Sequence, residues 1–234
     1  MQVVSQLKFS NRVYRQVYIL KSYICLDLRL YLIFKIREVM MYEAFFDYLK
    51  KFSPDPLSED EKILIKQAFI TSKLRRRQYL LQEGDMTKFF AWIVKGSMRM
   101  YSVDEKGTEH TVRLGVEGWW MGDRESWVMS KPSLYNIDAL ENTEMLLISR
   151  DNANKLIRTV PAFCEMAHQL DENNNIANQR RLTSSISGTA EKRYADFVDC
   201  YPELLERFPQ HIIASYLGIT KDTLSRVKKN ILQK

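Results

Sequence analysis

Gln210-His-Ile-Ile-Ala-Ser-Tyr-Leu-Gly-Ile-Thr-Lys-Asp-Thr-Leu-Ser-Arg-Val-Lys-Lys229 has the pattern of two short helices joined by a tight turn. Ile213 and Leu217 fall on one side of the first helix, and Ala214 is small enough for a second helix to cross closely. Gly218 stands where the turn needs a residue that tolerates positive φ, and Ile219, Leu224 and Val227 complete a shared core. Thr220 can cap the second helix, and Asp222 in its first turn suits the positive end of the helix dipole. That leaves Lys221, Ser225, Arg226 and Lys229 on the outward face, and residues 221–234 hold five basic groups against one acidic, a net +4. Such a helix suits the major groove of double-stranded DNA, where Arg or Lys donates to guanine O6 and N7 and to phosphates. A helical hairpin with a merely solvated basic face is the plain alternative, and the coincidence of seven constrained positions favours DNA. The chain stops soon after this helix, which predicts a winged-helix-like domain without its wing. Gln210, His211 or Ser215 on the first helix would then clamp the DNA backbone.

Working towards the N-terminus, Gly188 ends a long apolar-periodic run from Pro161, and Thr189 can cap the helix that follows, with Tyr194, Phe197 and Val198 inward and Pro202 at its end. The run itself, residues 161–187, steps by sevens from Phe163 to Leu170 to Ala177, with Met166 on the same side, and reads as the seam of a homodimer. Packing against the chain's own β domain is the alternative.

Between Leu74 and Ser149 the pattern changes to short strands at Tyr79–Leu81, Phe89–Val94, Ser97–Val103, Thr111–Leu114 and Met145–Ile148. Asp104-Glu-Lys-Gly107 reads as a hairpin loop. Many short strands with regular turns predict a small closed barrel or jelly roll, and Trp92, Trp119, Trp120 and Trp127 read as its packing. Ahead of it, Phe45, Phe46, Leu49 and Phe52 recur at helical spacing. Ser58 with Glu61 forms a capping box for a second helix whose stripe runs through Ile63, Leu64, Ala68 and Phe69. The fold class is therefore α+β, with a sensing β domain over 41–160, a dimerisation helix over 161–187 and a helix-turn-helix over 188–234.

Residues 1–40 lack caps and a consistent period, and they read as an extension, with translation starting at Met40 or Met41. They hold seven basic and two acidic groups, so only +1 of the chain's +6 falls on residues 41–234. An argument from overall charge to nucleic acid would therefore be unsound, and a basic arm that touches nucleic acid or membrane is the alternative use of the extension. Cys25, Cys164 and Cys200 are scattered and odd in number, and Val17–Phe34 is interrupted by Lys21, Asp27 and Arg29. These features predict a cytoplasmic protein with no membrane association, metal or cofactor.

The order of β domain, long helix and helix-turn-helix resembles the Crp/Fnr family of bacterial transcription regulators over about residues 41–234. Leu80-Leu-Gln-Glu-Gly-Asp85, Trp92-Ile-Val-Lys-Gly-Ser-Met-Arg-Met-Tyr101 and Thr189-Ala-Glu-Lys-Arg-Tyr194 carry the likeness. The resemblance implies an effector-binding barrel, a dimer built on the long helix, recognition of an inverted repeat, and contact with RNA polymerase. It places base contacts at Lys221, Asp222 and Arg226, where Lys221 replaces the family's usual Arg and offers a point contact instead of a fork. The family's cyclic-nucleotide cassette pairs Gly-Glu with a following Arg. Here Gly122, Asp123 and Arg124 match its first half, and no Arg lies around Ser133–Asn136. Arg124 or Lys131 would have to replace that phosphate partner, so an unidentified small-molecule effector, or none, is expected in place of a cyclic nucleotide.

An enzyme is the opposing reading and has little support. With only His110, His168 and His211, a cupin-type metal site has too few ligands, and no GxSxG, P-loop or GxGxxG is present. A sensor module that binds a small molecule or protein without reading DNA is the third.

Overall fold

The computed structural model describes residues 31–232, with side chains to residue 230. Most of the expected extension, and Cys25 within it, lies outside the described residues. The chain divides into two compact units, residues 1–43 and 44–234. The described part of the first, 31–43, is helical. The rest of this section concerns the second.

This unit opens on helical residues 44–49, here α1, and a 3-10 turn at Lys50–Phe52. Ser58 starts α2 (Glu59–Ala68) with the expected capping box: its Oγ accepts from the Glu61 N–H at 3.3 Å, and its own N–H donates to Glu61 Oε2 at 2.8 Å. The helix then stops one residue short of its predicted stripe. Phe69 begins strand β1 (Phe69–Leu74), because β-branched Ile70 and Thr71 continue into an antiparallel ladder with β8, from Phe69 opposite Ile148 to Leu74 opposite Thr143.

Seven further strands follow: β2 (Tyr79–Leu81), β3 (Phe89–Lys95), β4 (Met98–Val103), β5 (Glu109–Gly115), β6 (Trp120–Met121), β7 (Asn136–Ala139) and β8 (Thr143–Ser149). A six-residue helix, α3 (Arg124–Met129), sits between β6 and β7. The strands form two four-stranded sheets, ordered β1-β8-β3-β6 and β2-β7-β4-β5. The expected closure into a barrel is thus replaced by an open sandwich. Leu81, Ala91, Ile93, Met98, Met121, Ile137 and Met145 fill the space between its sheets. Gly96 links β3 to β4 at φ +104°, and a Cβ there would fall 2.8 Å from Thr143 Cα, so both its backbone and its lack of a side chain are required.

The outer face of the first sheet carries an aromatic cluster. The Phe45 ring of α1 lies 4.8 Å from Phe69 and 4.9 Å from Trp92, both edge-on, and Trp120 meets Phe163 at 6.5 Å. Phe163 belongs to the long helix α5 (Pro161–Ser187), which follows α4 (Arg150–Thr159). Phe163 and Met166, read from the heptad as dimer contacts, are buried here within their own chain, whereas Leu170 is half-buried and Ala177 exposed. The apolar start of α5 serves the β domain because Val160 and Pro161 turn the chain against that sheet.

Beyond Gly188 come α6 (Ala190–Cys200), capped by Thr189, then α7 (Leu204–Arg207), α8 (Gln210–Tyr216) and α9 (Lys221–Leu232). Among the described residues no strand follows β8. These helices do not form a separate core. Tyr194, Phe197, Leu204, Phe208, Ile212, Ile213, Leu217, Leu224 and Val227 share one apolar cluster with Leu114 and Val116 of the β5 region.

Candidate functional site

The helix pair α8–α9 is assembled by short-range chemistry. Gly218 takes φ +65° in the turn, and the Thr220 hydroxyl accepts from the Thr223 N–H at 3.1 Å, capping α9. Ile213, Ala214, Leu217, Leu224 and Val227 are buried between the helices and their neighbours. Lys221, Asp222, Ser225, Arg226 and Lys229 are all exposed on one side of α9. Of the backbone-clamp candidates, His211 is exposed. Gln210 is engaged by Lys228, whose Nζ donates to its Oε1 at 3.2 Å. Ser215 is half-buried, with its Oγ donating to the Glu109 carbonyl at 3.0 Å and accepting from the Thr111 N–H at 2.8 Å. Both bonds tie its hydroxyl to β5.

Ser215 is one of three ties that dock the C-terminal helices on the open edge of β5. In the second, the Arg181 guanidinium donates to the Val112, Thr111 and Tyr216 carbonyls and stacks 4.2 Å over the Tyr216 ring. The third is Arg207 on α7, which bonds Glu117 at 3.1 Å and Glu141 at 3.0 Å, two carboxylates held by the loops of the sandwich. Gly96 N–H also donates to Glu117 at 2.8 Å. A covering helix is one way to manage an unpaired strand edge, and here the cover is α8. The strand is stiffened from behind by buried Arg99, which bonds Asp138 at 2.9 Å and Glu109 at 2.5 Å.

Burial alone would raise the Glu117 pKa, but Arg207 and the Gly96 N–H outweigh it and hold the carboxyl below its ordinary value. A depressed folded pKa means stability that is fully present above the unfolded value, about 4.3, and is lost as pH falls through the folded one. An Arg207→Met variant is accordingly expected to melt below the wild type at pH 7, with the gap closing as the pH drops below about 4. Thermal melts at the two pH values check this.

In the β domain, the three residues that match the nucleotide cassette have separate fates. Gly122 is obligatory for packing, since a Cβ would meet the Phe90 ring at 2.7 Å, and it lines a cavity of about 480 Å³ with Leu80, Leu81, Asp85, Thr87 and Ile137. The Thr87 hydroxyl in that lining is buried without a hydrogen-bond partner. Buried Asp123 has both carboxylate oxygens occupied: Oδ1 caps α3 by accepting from the Glu125 N–H at 3.0 Å, and Oδ2 accepts from the Ser133 Oγ at 2.7 Å. Arg124 is bound in a fork to both oxygens of Asp171 on α5, and Lys131 is exposed. Ser133, in the stretch where the family resemblance calls for a phosphate-pairing arginine, thus closes the cassette on Asp123. Among the described residues no cluster of His, Cys, Asp and Glu could hold a metal ion, and no helix is long and apolar enough to cross a membrane.

Comparison with known proteins decides the class of the sandwich. Residues 71–160 match the family model of the cyclic nucleotide-binding domain. The chain is Crp/Fnr-like in fold. It superposes on a CooA variant from Carboxydothermus hydrogenoformans with a TM-score of 0.61 at 16% identity, covering 76% of this chain and 81% of that one. FixK2 from Bradyrhizobium japonicum gives 0.58 at 16% identity, with 70% and 85% covered. A transcriptional regulator of the crp/fnr family from Eubacterium rectale gives 0.55 at 15%, with 75% and 84% covered. No curated protein matches the sequence.

Sequence reasoning missed Arg181, Arg207, Glu117 and Glu141. The partners are separated by 35 residues or more, and no local spacing signals such a contact.

Proposed function

We propose that this chain is a DNA-binding transcription regulator of Crp/Fnr type that reads an inverted-repeat operator as a homodimer. Its sensing domain has a cyclic-nucleotide cassette closed on itself, it has no enzymatic activity, and it works in the cytoplasm with RNA polymerase as a further partner. One observation carries the reading. Lys221, Asp222, Ser225, Arg226 and Lys229 form a single exposed face on a capped helix that buried Leu224 and Val227 hold from behind. Docking on β5 leaves that face uncovered, as a major-groove reader requires.

The dimer seam in this reading lies further along α5 than the heptad places it. Phe163 and Met166 are committed to their own chain, whereas Leu182 is 62% and Ile186 79% exposed, one helical turn apart. A double substitution, Leu182→Glu with Ile186→Glu, touches no buried group and is expected to leave folding intact. By sedimentation the variant should be monomeric, with operator affinity about 100-fold lower through loss of the second half-site. A variant that stays dimeric, or binds the operator as well as the wild type, contradicts this placement of the seam.

A further inference from the structure

We propose that the exposed turn Arg75-Arg76-Arg77, between β1 and β2, is a second DNA contact, a sequence-independent clamp on the phosphates of the duplex that flanks each half-site. The inference rests on reading the chain as a DNA-binding regulator, and it names a contact outside α9.

The sequence concentrates charge in this turn. Residues 72–82 hold four basic groups, Lys73 and the three arginines, and no acidic one, whereas residues 41–234 as a whole carry only +1. All three arginines are exposed, and among the described residues none of their guanidinium groups has a carboxylate partner. The carboxylates of the adjoining segment 138–144 are committed elsewhere. Asp138 is bonded to Arg99 and Glu141 to Arg207, and Glu144 stands opposite both Lys73 and Lys95 in the strand ladders. Backbone amides hold the turn in place. The Gln78 N–H donates to the Arg75 carbonyl at 3.0 Å, the Arg77 N–H to the Ala139 carbonyl at 2.7 Å and the Arg76 N–H to Asn142 Oδ1 at 3.0 Å. Arg77, third in the turn, takes φ +69°, a conformation that suits Gly or Asn and strains an Arg. Its side chain makes no hydrogen bond that would offset the strain. A strained residue whose side chain serves nothing inside the fold points to a use outside it.

The turn is also in the right place. Asn142, which receives the Arg76 N–H, is the chain neighbour of Glu141, which ties down α7 through Arg207. The three arginines therefore lie at the end of the sandwich on which α7, the element leading into α8 and α9, is docked. Duplex DNA presents one negative charge per ~1.7 Å of its axis, and arginine forks bond phosphate oxygens two at a time. No aromatic residue interleaves the three arginines to stack on bases, so the contact is with the sugar-phosphate backbone and carries no sequence information. A duplex that continues past its half-site reaches the turn by bending toward the sandwich, and the phosphate contacts offset the cost of that bend.

The test uses the full chain and two duplexes carrying the inverted repeat, one ending at the half-sites and one continuing about one helical turn beyond each. At physiological salt the wild type should bind the longer duplex at least about tenfold more tightly. Arg77→Gly removes a charge and the backbone strain together, so its Tm should equal or exceed that of the wild type while its affinity for the longer duplex falls about fivefold. A triple variant, Arg75→Gln with Arg76→Gln and Arg77→Gly, should bind both duplexes alike. Its salt slope on the longer one should be lower by about one for each phosphate contact removed. Lys106→Met, an equal loss of charge in the hairpin at the far end of β4, should keep the whole gain. A wild type that binds both duplexes equally overturns the proposal, as does a triple variant that keeps the gain. The shorter duplex separates the two readings. If the wild type binds it and gains nothing from length, only the clamp falls. If the wild type binds neither duplex, the regulator reading falls with it.

Discussion

Replacing Lys221 and Arg226 together by alanine is expected to lower affinity for the operator by about 30- to 20,000-fold, since a base or paired contact from each is worth about 1–3 kcal/mol and separated contacts add roughly. The fold should be indifferent to the change. Both side chains are exposed, and among the described residues the only side-chain hydrogen bond made by either of them is a long one, from Arg226 to the Thr223 hydroxyl at 3.4 Å. Substitutions at such positions shift stability by no more than about 0.5 kcal/mol. Quantitative mobility shifts at physiological salt, alongside thermal melts, would separate a lost contact from a lost fold. Because Lys221 is a point charge and Arg226 a fork, the single Arg226→Ala change should also relax base preference at its half-site position, whereas Lys221→Ala should weaken binding more evenly. Retained affinity in the double variant would place recognition elsewhere on the molecule.

The second large effect is on stability. Phe45→Ala should destabilise the protein by about 3–5 kcal/mol, the usual range for deleting a fully buried phenyl ring. Phe45 is 0% exposed, and its ring is met edge-on by Phe69, Trp92 and Trp120, so its removal leaves a cavity walled by rigid rings that cannot collapse easily. Against a total of about 5–15 kcal/mol, that is a large share of the stability of the folded state. Unfolding in urea followed by tryptophan fluorescence reads the loss directly, because Trp92 and Trp120 line the site. The consequence extends to function through Phe163. This residue anchors the start of α5 on Phe69 and Trp120, so loosening the cluster frees the helix on which the proposed dimer seam lies. A loss below about 1 kcal/mol would show that the cluster repacks and does not fix α5.

What could be read from the sequence was local. The capping box at Ser58 and Glu61, the cap at Thr189, the positive φ of Gly218 and the buried set Ile213, Ala214, Leu217, Leu224 and Val227 all depend on neighbours within a few residues. Family likeness supplied the order of the parts. What failed depended on distance or on competition between partners. The heptad from Phe163 has a dimer's spacing, but an aromatic cluster contributed by β1 and β6 claims that residue first. Asn136-Ile-Asp-Ala139 is too short and mixed to announce a strand, yet it pairs with β4 and β2 and opens the sheet order to a sandwich. Asp123 and Arg124 read as ligand contacts because their types suit a phosphate or a ribose. In the fold, Ser133 and Asp171 take them instead. Arg207 with Glu117 and Glu141, the clasp that ties α7 to the sandwich, leaves no mark in any window of sequence.

The central claim is that α9 reads DNA, and selection from a random duplex pool with the full chain at physiological salt tests it most directly. The account predicts enrichment of an inverted repeat whose half-sites lie about one helical turn apart, and loss of that enrichment when Lys221 and Arg226 are both alanine. A pool left unenriched by the wild type would contradict it.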